Sequence, residues 1–211
     1  VSKPHRRFIS SKKVQLRERP DGALPAIHGY AAVFHRDGDP GTEFAMWPGA
    51  VERIKPGAFD RAIGSDDVRA LYNHNPSQVL GRASAGTLRL SVDAVGLRYE
   101  IDPPDTQLAR DLVESIRRGD VTGSSFAFMP RGEAGTVRAA GENGVTYYDR
   151  TDVELFDVGP VTYPAYGAAD SAVRAAIQAE RESEAERVAA DRVYASRVLA
   201  ATEILSNDAE S

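Results

Sequence analysis

The stretch Val121-Thr-Gly-Ser-Ser-Phe-Ala-Phe-Met-Pro130 decides how this chain is read. It follows a helical pattern and has the length and composition of a short strand. Side chains on a strand alternate between its two faces. Ser124, Phe126 and Phe128 therefore share one face, and Gly123, Ser125, Ala127 and Met129 share the other. The phenylalanine face is the natural core face. That sets Ser125 on the opposite side between two small neighbours, where a peptide can approach its hydroxyl. Both serines also have an ordinary reading as polar residues of a strand.

The neighbouring segments build a mostly β domain around this strand. Upstream, Phe8–Leu16 and Ile27–Phe34 read as strands, Arg36–Gly41 as a turn cluster and Phe44–Trp47 as a short strand. Between Glu52 and Ile63, Pro56 and Gly57 suit the start of a short helix that carries Phe59 and Ile63 inward, since a spacing of four puts both on one face. Val68–His74 reads as a strand closed by Asn75-Pro76, which leaves His74 at a strand end, where a rigid scaffold presents chemistry. A lone histidine there has a structural reading too. Val79–Ser84, Thr87–Val92 and Leu97–Ile101 read as a meander with turns at Ala85-Gly86 and Ala94–Gly96. Leu108, Leu112, Val113 and Ile116 make the clearest amphipathic helix, with an N-cap at Asp105 or Thr106, Arg117 and Arg118 in its last turn and Gly119 past its end.

Downstream of the serine strand, Glu133–Tyr148 reads as a hairpin with Glu142-Asn-Gly144 at its tip. Thr151–Thr162 follows as a strand apolar on both faces, with Val153 and Leu155 on one and Phe156 and Val158 on the other, a pattern of burial from both sides. It carries Glu154 and Asp157, and a buried carboxylate is costly without a partner. Pro160 interrupts the ladder, so a bend or sheet edge is expected there. From Ala168 the texture changes to Ala, Glu and Arg with no further Gly or Pro, the composition of a helical tail. The chain divides into a basic N-terminal arm (1–19), a folded domain (20–168) and a charged helical tail (169–211).

Composition narrows the chemistry. The chain of 211 residues is 42% hydrophobic and 27% charged, as a globular domain is, and its formal charge of -5 gives no electrostatic basis for binding nucleic acid. With no cysteine there is no disulfide, no thiolate nucleophile and no cysteine-based zinc site. No apolar run is long enough to span a bilayer and the N-terminal residues lack a signal peptide's apolar segment, so the expectation is a protein of the cytoplasm or carried inside an assembly, with no membrane partner. There is no Gly-x-Ser-x-Gly elbow and no phosphate-cradling Gly-x-x-x-x-Gly-Lys, and His5, His28, His35 and His74 include no helical metal-ligand pair. No metal or other cofactor is expected.

What remains is a strand-end histidine, a serine between small neighbours and a buried acid. Nucleophilic acyl transfer needs these three types: a hydroxyl, an imidazole that titrates near working pH and takes its proton, and a carboxylate that holds the imidazole's tautomer. The acid is either Asp157 or Glu154.

The chain resembles the prohead (procapsid maturation) serine proteases of tailed bacteriophages, which are related to the herpesvirus assemblins. The resemblance runs from about Ile27 to Ala172. It rests on Gly29-Tyr-Ala-Ala-Val-Phe34, Ile54-Lys-Pro-Gly-Ala-Phe59, Leu71-Tyr-Asn-His-Asn75, Gly123-Ser-Ser-Phe-Ala-Phe128 and Val153-Glu-Leu-Phe-Asp-Val-Gly-Pro-Val-Thr-Tyr-Pro-Ala-Tyr166, in that order. It implies His74 as general base and Ser125, the serine directly before Phe-Ala-Phe, as nucleophile. It favours Asp157 as the third member, with Glu154 in reserve, although the family often has Glu-Val-Ser where this chain has Asp157-Val158-Gly159. The assemblins use a second histidine there, and this chain has none after Ser125.

The implied fold is α+β and mostly β: a compact antiparallel β-barrel with peripheral helices. The implied activity is a serine endopeptidase that removes scaffold segments of the major capsid protein, and cuts itself, inside the procapsid in the host cytoplasm. The capsid protein, its scaffold segments and a second copy of the chain are the implied partners. A catalytically silent capsid-assembly module of the same fold is the alternative.

Overall fold

Among the described residues ten backbone pairings organise the strands, and eight of them are antiparallel. The computed structural model describes residues 5–9, 14–20, 22–141 and 144–163. Its strands are β1 (His5–Ile9), β2 (Gln15–Arg17), β3 (Ala26–Val33), β4 (Glu43–Trp47), β5 (Ala50–Ile54), β6 (Arg69–Leu71) and β7 (Val79–Arg82). They continue with β8 (Leu88–Val92), β9 (Gly96–Ile101), β10 (Gly123–Pro130), β11 (Thr136–Ala140), β12 (Thr146–Arg150) and β13 (Val153–Val161). The α-helices among the described residues are α1 (Ala62–Ser65) and α2 (Gln107–Arg118).

The strands form three sheets, in the orders β1-β10-β13-β6-β7, β11-β12-β5-β4 and β2-β3-β9-β8. The expected mostly β, α+β class holds, but among the described residues there is no closed barrel. Closure needs one continuous backbone ladder. Here β3 packs against β1 and β10 with no ladder between them. The two sheets meet through side chains, including a 2.8 Å hydrogen bond between the Tyr99 and Ser124 hydroxyls, both fully buried. Burial pushes the Tyr99 phenol well above its usual range, so it stays protonated.

The core is aromatic at its centre. Phe126 stacks on Phe128 with centroids 5.1 Å apart, and Phe59 meets Phe126 edge-on at 5.7 Å. All three are fully buried, and each buried side chain of this size contributes about 1.5–3 kcal/mol. Phe59 arrives as expected, but Ile63 is exposed. The helix is shorter than its pattern suggested: 56–61 forms turns, and Ala58 and Ala62 flank Phe59 in the core instead. Residues 50–54, at the start of that stretch, are strand β5.

Helix α2 is as expected. The Thr106 hydroxyl accepts from the Ala109 N–H, and Gly119 ends the helix in the left-handed conformation. Leu112, Val113 and Ile116 are buried, joined by Ala109, while Leu108 is half-buried. The expected meander is split: β7 joins the first sheet and the β8–β9 hairpin the third. His5–Ile9, inside the basic arm, is a strand of the first sheet rather than a loose segment. Residues 142–143 of the hairpin tip and the whole 169–211 tail lie outside the described residues. Among those described, no helix is long and apolar enough to cross a membrane.

Candidate active site

The site forms where β10, β13 and the loop after β6 meet. Ser125 on β10 pairs with Gly159 on β13, and Ala127 pairs with Asp157. Phe128 then pairs with Leu155, so Phe156 is an extra residue, a β-bulge. The bulge explains why this strand reads as apolar on both faces. Val153 and Leu155 sit across from Pro130 and Phe128 on the core side. Past the bulge the alternation shifts by one, so Val158, opposite Phe126, takes the core side. Asp157 and Gly159 are thereby turned to the face that carries Ser125. A bulge re-aims side chains in this way, and it separates the two candidate acids: Asp157 is buried in the site and Glu154 is exposed.

The histidine comes from a tighter turn than a strand end. β6 stops at Leu71, and Asn73 and His74 both have φ of 54°. Residues with side chains seldom take this left-handed conformation, and surrounding contacts must hold it. The holding contacts come from the end of β13. The Asn73 N–H donates to the Pro160 carbonyl at 3.1 Å. The Asn73 side chain accepts from the Thr162 N–H at 2.8 Å and donates to the Thr162 hydroxyl at 3.0 Å. Tyr72 reaches the same hydroxyl at 2.8 Å. Gly159 lets β13 come this close, because a Cβ there would lie 2.2 Å from the Leu71 carbonyl oxygen.

These placements bring the three residues together. His74 Nδ1 lies 2.5 Å from Asp157 Oδ1, and His74 Nε2 lies 2.5 Å from Ser125 Oγ. Asp157 on Nδ1 fixes the tautomer in which Nε2 can accept the hydroxyl's proton. The three are 7% (His74), 0% (Ser125) and 8% (Asp157) exposed, so the charges that develop are poorly screened by water. This arrangement can carry nucleophilic attack on a carbonyl carbon. Among the described residues no group of three or more His, Asp or Glu side chains could hold a metal ion.

Ser125 is fully buried, contrary to the open face expected for it. Alternation placed it correctly relative to the core, but β1 covers it. β1 runs antiparallel along β10, and the Arg7 carbonyl accepts a 2.8 Å hydrogen bond from Ser125 Oγ. The single hydroxyl proton thus has two acceptors, the Arg7 carbonyl and His74 Nε2. The β1 strand is also tied down by its side chains. Arg7 Nε donates to Glu52 Oε2, and His5 Nδ1 lies 3.8 Å from Glu52 Oε1. Arg150 Nε donates to Glu52 Oε1 at 2.6 Å, and Glu52 is fully buried. Burial pushes the His5 imidazole down, with Glu52 pulling the other way. Asn73 and Thr162 sat inside stretches already singled out and Glu52 began another, but nothing in the sequence assigned them or Arg150 to this region.

A family model described as caudovirus prohead serine protease matches residues 12–184. The chain is also similar to the solved structure of the bacteriophage T4 capsid assembly protease, gp21, at 12% sequence identity, covering 77% of this chain and 100% of that one with a TM-score of 0.45. No curated protein matches.

Proposed function

The chain belongs to the caudovirus prohead serine protease family, and on that footing we propose that it is a serine endopeptidase with Ser125 as nucleophile, His74 as general base and Asp157 as the group that orients the imidazole. The observation that carries this reading is the continuous relay Asp157–His74–Ser125, with both links at 2.5 Å. His74 takes the hydroxyl proton as Oγ attacks the peptide carbonyl, then returns it to the leaving amine. Asp157 offsets the imidazolium charge between those steps. Glu154, exposed on the far side of the bulge, has no part in it.

The substrates are the scaffold segments of the major capsid protein and the chain itself, cut inside the procapsid in the host cell. Residues 20–168, with β1 and β2 of the basic arm added to their sheets, form the protease unit, and the 169–211 tail is a targeting or self-cleaved segment. Intact-mass analysis over time checks the last point: the wild-type chain shortens and a Ser125→Ala variant does not.

One observation favours the silent assembly module, namely that Ser125 is covered by β1. Three polar side chains aligned as a proton relay have no use in such a module. Fluorophosphonate treatment, with and without the capsid partner, separates the two. A covalent adduct on Ser125, lost in His74→Ala, supports the protease. No adduct under either condition overturns it.

A further inference from the structure

Glu52 sits on β5, in a different sheet from β10, yet its side chain is fully buried beneath β1. Its two carboxylate oxygens are divided. Oε1 is taken by Arg150, which also donates to the Thr136 hydroxyl at 2.6 Å and is itself 5% exposed. Oε2 is taken by Arg7 of β1. Arg150 belongs to the permanent frame, since β12 pairs with β5 and Arg150 lies opposite Ile54. Arg7 belongs to the strand that covers Ser125. If β1 leaves, one oxygen of a buried carboxylate loses its donor, and β10 gains an open edge. An extended peptide is the natural occupant of such an edge, where main-chain bonds hold it and side-chain pockets read it.

The register says which residue of that peptide would be read. The residue whose carbonyl meets Ser125 Oγ is Arg7, and the same residue's side chain reaches Glu52. Arg7 pairs with Phe126, so its side chain lies on the phenylalanine side of the sheet, and its guanidinium stands 6.0 Å from the Phe128 ring centroid. The Phe128 ring supplies an aromatic surface beside the cationic group, and the carboxylate supplies the charge that pairs with it. A basic side chain fits both. A neutral one leaves Oε2 buried without a partner, and an acidic one adds a like charge.

We propose that Glu52 is a specificity-determining residue: it selects arginine or lysine, in a peptide strand docked along β10, at the position whose carbonyl faces Ser125. This rests on the protease reading above. β1, carrying Arg7, is then a strand of this chain that satisfies the same selection.

The test uses the full chain as wild type, as Arg7→Gln and as the Arg7→Gln, Glu52→Gln double variant. Each is treated with a fluorophosphonate and with a mixed-sequence peptide library whose cut sites are read by mass spectrometry. Arg7→Gln weakens the hold on β1, so Ser125 is labelled faster than in wild type. Its cut sites are enriched in Arg and Lys over neutral residues at one fixed position by about 10–100-fold, the value of a hydrogen bond to a charged group. The double variant loses that enrichment.

Cutting or labelling without a basic preference, or a preference unchanged by Glu52→Gln, overturns the inference and leaves the protease reading standing. No labelling and no cutting by any variant overturns both. If the double variant does not fold, the profile of Arg7→Gln alone decides, because Glu52 is intact there.

Discussion

The two carboxylates of β13 could not be told apart by residue type, and one irregular residue separates them. Phe156 as the bulge turns Asp157 to His74 and leaves Glu154 exposed. Asp157→Asn should therefore lower kcat/KM by roughly 10³–10⁴-fold, because the amide stabilises the wrong imidazole tautomer. Glu154→Gln should leave it unchanged. Peptide hydrolysis by the two variants checks both, and the reverse order would reassign the third member. At this scale the sequence was informative about type and side. Strand alternation chose Ser125 over Ser124, and the structure has Ser124 bonded to Tyr99 in the core, away from the histidine. What was not legible were contacts made across long separations. The cover on Ser125 comes from Arg7, 118 residues away in the chain, and no local pattern encodes it.

At the scale of elements, the site depends on β13 passing close to the end of β6. Gly159→Ala would force a methyl group against the Leu71 carbonyl. The expected cost is about 3 kcal/mol from overpacking and backbone strain, with loss of fluorophosphonate labelling as the Asn73–His74 turn shifts. Thermal melts and labelling of the same sample check both parts. Asn73→Ala should act more selectively. It removes the reciprocal bonds to Thr162 that hold the left-handed turn. Labelling of Ser125 should fall about tenfold or more, since a small misplacement of a base is costly, while the melting temperature changes by only a few degrees. Equal labelling of the variant and wild type would remove Asn73 from this role. Helix α2 and most strands were readable, because their spacing and caps are local signals. The separation of β7 from the β8–β9 hairpin, and the shortened α1, were not, because turn residues mark where a strand stops and not which sheet the next one joins.

At the scale of the molecule, the described residues form three sheets joined through side chains in place of the expected barrel, and an arginine–carboxylate cluster lies along one of them. Arg89 donates to Asp102 and Glu100, and Arg17 donates to Glu100 at 2.6 Å. The Arg89 hydrogen bonds hold the Asp102 carboxyl below its ordinary value. For Glu100, burial works in the opposite direction, but the bonds from Arg17 and Arg89 together outweigh it. Asp93 follows the same rule, with burial opposed by bonds from Tyr30 and the Val95 and Gly96 N–H groups. A carboxylate whose folded value is depressed stabilises the protein above its unfolded value, about 3.9 for Asp and 4.3 for Glu, and loses that contribution as pH falls through the folded one. Because the His5 imidazole is lowered in the folded protein, the melting temperature should decline slightly as pH falls below about 6.5, and it should fall more steeply below about pH 4.5 as the carboxylates protonate. Arg89→Ala should make that fall shallower, and an unchanged acid slope would assign it to other groups.

The claim on which all of this turns is that Ser125 cuts peptide bonds through His74. Its most direct measurement is to combine the full chain with its phage's capsid precursor under assembling conditions and follow the precursor's mass over time. Discrete truncation of the precursor is expected from the wild-type chain and, for Ser125→Ala, a rate lower by roughly 10⁵–10⁶-fold, which is no visible truncation. Truncation by Ser125→Ala at the wild-type rate would contradict it.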